Sequence, residues 1–190
     1  MKKLEEMTLQ EKLGQFLIIG FEEPYLTDDL KAMIKKYKFG NFILFKRNIV
    51  DLKQLETLTR ELHEVVMEAT GIMPFISIDQ EGGTVVRIMH KAAFYPGSMT
   101  LAATSPTNAL EVGKMMGNHL LSLGINMNLA PSLDVNNNPK NPVIGIRSYS
   151  DDPERVSEYG VKLIEGMQST PIVVTPLGIV TEAGHLPFIR

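Results

Sequence analysis

Short apolar runs alternate along this chain with longer segments whose apolar residues recur at helical spacing, a pattern that predicts parallel βα units. Thr8 and Glu11 have capping-box spacing, and Leu13, Phe16 and Leu17 follow at helical intervals. Phe16 to Phe21 then reads as a strand. Thr27 opens a second helix with Leu30, Met33, Ile34 and Tyr37 on one face, and Gly40 is the expected C′ residue that ends it. Asn41 to Phe45 is a compact apolar strand. Asp51 and Gln54 resemble a cap and its N3 partner for a helix striped by Leu52, Leu55, Leu58, Leu62, Val65 and Val66, which Gly71 closes. Met73 to Ile78 reads as a third strand. Ser105-Pro106 starts a helix reaching about Leu123. Gly124 turns the chain into Ile125 to Ala130, a strand with polar residues inserted, and Asp152-Pro153 starts a helix carrying Val156, Tyr159, Leu163 and Ile164. No linker, repeat or low-complexity stretch interrupts this order, which reads as one domain.

Three loops that follow or lie beyond these strands carry the polar, conformationally special residues. The first is Ile78-Asp79-Gln80-Glu81-Gly82-Gly83-Thr84-Val85-Val86-Arg87, where an apolar run stops at two carboxylates, a glycine pair and an arginine. The second runs from Pro131 through Asp134 to Asn138, and the third from Gly145 through Arg147 to Pro153. Loops beyond the carboxyl ends of parallel strands are where α/β folds hold ligands, so Asp79, Arg87, Asp134 and Arg147 are placed where a βα barrel builds its pocket. Lys46-Arg47-Asn48 would share that rim. A carboxylate and a guanidinium there suit a polyhydroxylated ligand, since one accepts from hydroxyls and the other offers a planar fork of donors. The plainer alternative is that Asp79 and Glu81 cap the next segment while Gly82-Gly83 makes a turn.

Composition narrows the classes. The 190 residues suffice for a core, and 44% hydrophobic with 22% charged residues is ordinary for a globular protein. A net charge of −3, with no basic cluster interleaved with aromatics, gives no reason to expect nucleic acid. Lys35-Lys36 and Lys38 fall at a helix end, where cations favour the helix dipole. The absence of cysteine excludes disulfides, thiolate metal sites and thiol nucleophiles. Acidic Leu4-Glu5-Glu6 follows Met1-Lys2-Lys3 where a secretory apolar stretch would lie, and Phe16 to Ile19 is too short to span a bilayer, so a cytoplasmic location without membrane contact is expected. His63 and His119 lie inside helices and His90 in a loop, with no metal-ligand spacing, so neither metal nor cofactor is expected.

Against this background the chain resembles the N-terminal catalytic barrel of family 3 glycoside hydrolases, in particular the β-N-acetylhexosaminidase branch. The matching pieces are Met7 to Gln15, Gly40 to Phe45, Ile78 to Gly83, Gly124 to Pro131 with Leu133-Asp134-Val135, and Arg147 to Ser150 before Asp152-Pro153. They run over roughly residues 5 to 168 in the family's order. The resemblance implies a TIM-type (β/α)8 barrel, here an incomplete one of about four to five βα units. It implies hydrolysis of terminal β-linked N-acetylglucosamine from peptidoglycan-derived saccharides. Carried over by position, Asp79 is the carboxylate that grips sugar hydroxyls, and Arg87 and Arg147 line the same sugar subsite. Glu81 has no catalytic role in the family and is held as structural.

The resemblance breaks after Gln168, so residues 1–168 are read as the family portion and 169–190 as a divergent tail. In the family's hexosaminidase branch a histidine assisted by an aspartate serves as acid/base after the fifth strand, and an aspartate further on is the nucleophile. Here His185 takes the place of a sugar-binding histidine, Ile189 falls where the general-acid histidine belongs, and no catalytic residue is assigned. An alternative is therefore a non-catalytic saccharide-binding or interaction fragment. An unclosed parallel sheet also exposes an edge and an apolar face, which predicts self-association. An unrelated barrel acting on phosphorylated metabolites lacks the Gly-rich phosphate loop before a helix.

Overall fold

A computed structural model describes residues 2–89 and 92–178. Five strands, β1 (Ile18–Ile19), β2 (Asn41–Leu44), β3 (Phe75–Ile78), β4 (Met127–Asn128) and β5 (Val173–Val174), are hydrogen-bonded in that order. Helix α1 (Leu9–Gln15) precedes β1, and between the strands run α2 (Asp28–Tyr37), α3 (Leu52–Thr70), the short α4 (Ser98–Ala102), α5 (Pro106–Ser122) and α6 (Pro153–Gln168). Sequential order with helical crossovers is the βα arrangement of a TIM-type barrel. The described residues divide into two compact units. One takes the chain to Ile78, Arg87 to Ala92 and Ser122 to Met127; the other takes Asp79 to Val86, Ala93 to Leu121 and the chain from Asn128 onward.

In the first unit β1 and β2 pair in parallel with Ile18 opposite Asn41, and β2 and β3 with Asn41 opposite Phe75 and Leu44 opposite Ile78. Phe42, Leu44, Ile76 and Ile78 are fully covered, as are Leu55, Leu58, Leu62 and Val66 on α3. Each such burial is worth about 1.5–3 kcal/mol, which fixes the sheet against that helix. Helix starts follow the capping signals. The Thr8 hydroxyl accepts from Glu11 N at 3.3 Å while the Glu11 carboxylate accepts from Thr8 N at 2.8 Å. Asp51 accepts from Gln54 N at 2.8 Å, whereas the Gln54 side chain accepts from Val50 N rather than from the cap residue.

Several expected boundaries move. Helix α2 ends on Lys38, not Gly40: Lys38 is left-handed (φ 60°), its N–H reaches Ile34 O at 2.8 Å and its Nζ reaches Ala69 O at 2.9 Å. Gly40 lies against the Gln15 side chain, which would have to move for a Cβ placed 2.0 Å from its Oε1. The expected strand from Phe16 shrinks to β1 because Phe16 still closes α1 in helical conformation. Met33 and Tyr37 of the expected apolar face are each 43% exposed; only Leu30 and Ile34 are buried.

The polar residues inserted in the fourth strand have a structural purpose. Asn126 accepts from Ile76 N and donates to Pro74 O, both at 2.8 Å, so its side-chain amide extends the ladder beside β3. In the second unit α5 and α6 bury Ala109, Met116, Leu120, Leu163 and Met167. Arg155 and Tyr159 of α6 donate to the carbonyls of Ala102 and Thr104. Strand β5 lies within the segment read as the divergent tail: Thr175 N donates to Asn128 O and Leu177 N to Pro131 O, both at 2.9 Å.

Candidate functional site

The second unit holds the loop that begins where β3 ends. Gln80 is buried and locked by Asn128, whose Oδ1 accepts from Gln80 N and whose Nδ2 donates to Gln80 O, both at 3.0 Å. This two-way amide pairing fixes the backbone on which Asp79 and Glu81 sit. The glycine pair then permits a tight reversal: Gly82 (φ 91°) and Gly83 (φ 59°) pack so closely that a Cβ would lie 2.5 Å from Pro96 O and 2.8 Å from Gly97 Cα. Gly83 N donates to Tyr95 O at 2.9 Å, and Glu81 N to Val85 O at 3.0 Å.

Glu81 points from this turn to Arg147. Arg147 Nε donates to Glu81 Oε2 at 3.0 Å and Nη2 to Oε1 at 2.6 Å, a bidentate pair in which the Glu81 side chain is only 3% exposed. Nη1 donates to Val143 O at 3.2 Å. Arginine carries five N–H donors, so two remain after these three bonds. The hydrogen bonds it donates to Glu81 push the Arg147 pKa above its ordinary value, against the opposing effect of burial, and the charges of Glu81, Asp134 and Asp79 add to the rise. The guanidinium therefore lies within the electrostatic reach of three carboxylates.

Asp134 is held by its own loop. Ser132 Oγ donates to Asp134 Oδ2 at 2.8 Å, and the buried Ser148 hydroxyl donates to the Asp134 carbonyl. Tyr149 stacks on Tyr159 with ring centroids 6.0 Å apart, and burial pushes its phenol above the usual range. A small cavity of about 50 Å³ borders Arg147, lined by Glu81, Gly83, Thr84, Ser98 and Ile146. That volume takes a substituent arm rather than a ring.

Asp79, Asp134 and Arg147 thus share the second unit, with Asp79 half-buried. Arg87, half-buried as well, belongs to the first unit. Of the rim residues after β2, Arg47 and Asn48 turn back on the chain: both donate to Phe21 O, at 2.9 and 3.0 Å. His63 Nε2 lies 3.0 Å from Gly124 O and His119 Nδ1 lies 3.3 Å from the Tyr95 hydroxyl. His90 and His185 lie outside the described residues. Among the described residues no three histidine, aspartate or glutamate side chains group to hold a metal, and no helix is long and apolar enough to cross a membrane.

Sequence reading did not anticipate the pairing of Glu81 with Arg147, nor α4 and its buried Ser98. The first joins residues 66 apart. The second had only Pro96-Gly97-Ser98 as a local start signal.

The family model for the glycosyl hydrolase family 3 N-terminal domain matches residues 8–187. The chain belongs to that family. This family 3 chain is 36% identical to beta-hexosaminidase A of Pseudoalteromonas piscicida, over 95% of its own length and 33% of the relative's. It is 31% identical to beta-hexosaminidase of Photobacterium profundum, over 90% of its length and 47% of the relative's. Among solved structures it is similar to a family 3 β-N-acetylglucosaminidase from Paenibacillus sp. str. FPU-7, with a TM-score of 0.87 and 40% identity, covering 90% of this chain and 33% of that one. It is also similar to NagZ from Neisseria gonorrhoeae in complex with N-trifluoroacetyl-D-glucosamine, with a TM-score of 0.76 and 28% identity, covering 89% and 51%. The chain spans between a third and a half of the length of these relatives. The likeness fixes the α/β, TIM-type fold expected from sequence.

Proposed function

We propose that this chain is the saccharide-recognising part of a β-N-acetylhexosaminidase, and that the whole protein hydrolyses terminal β-linked N-acetylglucosamine from peptidoglycan-derived saccharides. The observation that carries the reading is the Arg147 guanidinium, clamped by Glu81 with two donors left over and influenced by Asp79 and Asp134. A half-buried carboxylate such as Asp79 accepts from two ring hydroxyls, and a fixed guanidinium donates to ring oxygens or an amide carbonyl. In this reading Asp79 and Arg147 bind the sugar, and Arg87 is assigned to sugar binding by the family resemblance alone. The beta-hexosaminidase relatives and the aminosugar-bound NagZ support the choice of sugar.

Binding and cleavage separate here. Glycosidic cleavage needs an acid/base group and a nucleophile or activated water around the scissile bond. His63 and His119 are engaged with Gly124 O and Tyr95, respectively. The described residues accordingly bind rather than cut, a cytoplasmic role consistent with recycled wall fragments. Saturation-transfer NMR tests this: N-acetylglucosamine should give a signal that Asp79→Asn removes, with negligible turnover of a chromogenic N-acetylglucosaminide by the same chain. No signal from the unaltered chain would refute recognition. Asp79-dependent turnover would refute the separation of binding from cleavage.

We also propose self-association through the β1 edge. Leu9, Leu13, Phe16 and Ile18 are 73%, 56%, 85% and 46% exposed along α1 and β1, and β1 pairs only with β2 among the described residues. An open strand edge beside apolar surface is a self-pairing site. Sedimentation should show a concentration-dependent species that Phe16→Glu dissolves; a monomer at all concentrations would refute it.

A further inference from the structure

The loop after β1 carries a feature that the Asp79 and Arg147 site does not use. Phe21 and Leu26 are buried, yet Tyr25 between them is 61% exposed. An open groove of about 380 Å³ runs beneath it, lined by Pro24, Asp51, Lys53, Gln54, Thr57 and Glu61 as well as Tyr25. The whole groove lies in the first unit.

The tyrosine does not stand on a loose loop. Asn48, fully buried, donates to the carbonyls of Phe21 and Glu23, each at 3.0 Å. Gln54 Nε2 donates to Pro24 O and, at 3.1 Å, to Asn48 O. Side chains from the segment after β2 thus staple the backbone that leads into Tyr25. An exposed aromatic ring on a rigid support offers a preorganised flat apolar face without an ordering cost on binding.

The remaining walls supply hydrogen-bonding groups. Asp51 spends Oδ1 on capping α3, accepting from Gln54 N at 2.8 Å, which leaves its second oxygen. Glu61 has no ion-pair partner among the described residues. Lys53 adds donors, while the Thr57 hydroxyl, which donates to Lys53 O at 3.0 Å, offers an acceptor. One flat apolar face, two carboxylate acceptors and a few donors match a pyranose ring, which presents C–H groups on one face and hydroxyls around its rim. The volume is within the range of small-ligand sites. The groove also lies beyond the carboxyl ends of β1 and β2, the end of the parallel sheet at which ligands are held.

We propose that this groove is a second saccharide subsite, with a sugar ring stacked on Tyr25 and its hydroxyls donating to Asp51 and Glu61. The inference rests on the reading that the ligands of this chain are saccharides.

The test is amide-resolved NMR of the full chain titrated with the β-1,4-linked dimer of N-acetylglucosamine. The amides of Tyr25, Gln54, Thr57 and Glu61 should shift on titration, and Tyr25→Ala should weaken that response about tenfold, the loss of one stacking contact. Glu61→Gln should weaken it too, while shifts near Glu81 and Arg147 persist in both variants. Tyr25 is exposed, so neither replacement empties a core position. Silence in the groove while the Arg147 amide responds overturns the second subsite alone. A groove response with silence at Arg147 supports this subsite and refutes the proposed one. Silence at both refutes both. Groove shifts that survive Tyr25→Ala, or that appear with a lysine-rich peptide and not with the sugar, also overturn the inference.

Discussion

Glu81 holds the Arg147 guanidinium edge-on through bonds of 3.0 and 2.6 Å, joining the loop after β3 to the loop before α6. A carboxylate this deeply covered tolerates its charge because the fork of donors meets both of its oxygens. The pair does two jobs at once. It satisfies a buried charge and sets the plane of the remaining N–H groups of Arg147, the ones proposed to meet the sugar.

Removing the carboxylate should therefore cost both stability and binding. Breaking a buried pair leaves the other charge uncompensated, at about 3 kcal/mol. For a chain of this size that lowers the thermal midpoint by roughly 6–12 °C. Glu81→Ala should show this drop in calorimetric melting, and Glu81→Gln, which keeps the shape, should melt higher than Glu81→Ala but bind sugar as poorly. Equal melting of all three proteins would mean the pair is not formed.

Gly83→Ala should fail for steric reasons. A Cβ at 2.8 Å from Gly97 Cα, on a backbone with φ 59°, cannot be relieved by a side-chain rotation. The strain is expected to cost about 1–3 kcal/mol, read as a shift of the urea midpoint at unchanged slope. The response near Arg147 should broaden or vanish with it, since the same turn carries Glu81.

Asn128→Leu should likewise destabilise, by about 2–3 kcal/mol, since it strands the buried N–H and carbonyl of Gln80. Hydrogen exchange at the Gln80 amide, donated to Asn128 Oδ1 at 3.0 Å, should accelerate selectively. Unchanged protection there would contradict the amide pairing.

Acid should release the N-terminal segment through Glu11. The Lys2 ammonium, 2.8 Å from both carboxylate oxygens, and the backbone N–H of Thr8 lower the Glu11 pKa from 4.5 to about 2. A lowered pKa in the folded state gives stabilisation that is complete above pH 4.5 and lost as the pH falls through about 2. The advantage of the unaltered chain over Glu11→Gln in thermal midpoint should be constant above pH 5 and shrink steadily toward pH 2, a range set by that shift. An advantage that grew on acidification would reverse the sign.

Much of this was legible beforehand because local chemistry dictates it. Thr8, Asp51 and Asp152 announce helix starts, and each accepts the backbone N–H that such a cap should. Gly71 ends α3 in the left-handed region, as its position suggested. The errors arise where distant groups decide. The left-handed turn falls on Lys38, whose ammonium reaches Ala69 O on α3, and not on Gly40. Asn126 and Asn128 read only as polar residues inserted in a strand, and their amides bond the backbone of Ile76 and Gln80. At the candidate site the sequence marked Asp79 and Arg147 but not the pairing of Glu81 with Arg147, because pairing across 66 residues leaves no local spacing to read.

The most direct test of the central claim is isothermal titration of the chain with N-acetylglucosamine, beside Arg147→Ala. The account predicts measurable, saturable binding to the unaltered chain and a loss of about ten- to a hundredfold in the variant, the cost of removing a charged hydrogen-bonding partner. Equal affinity in both proteins would contradict it.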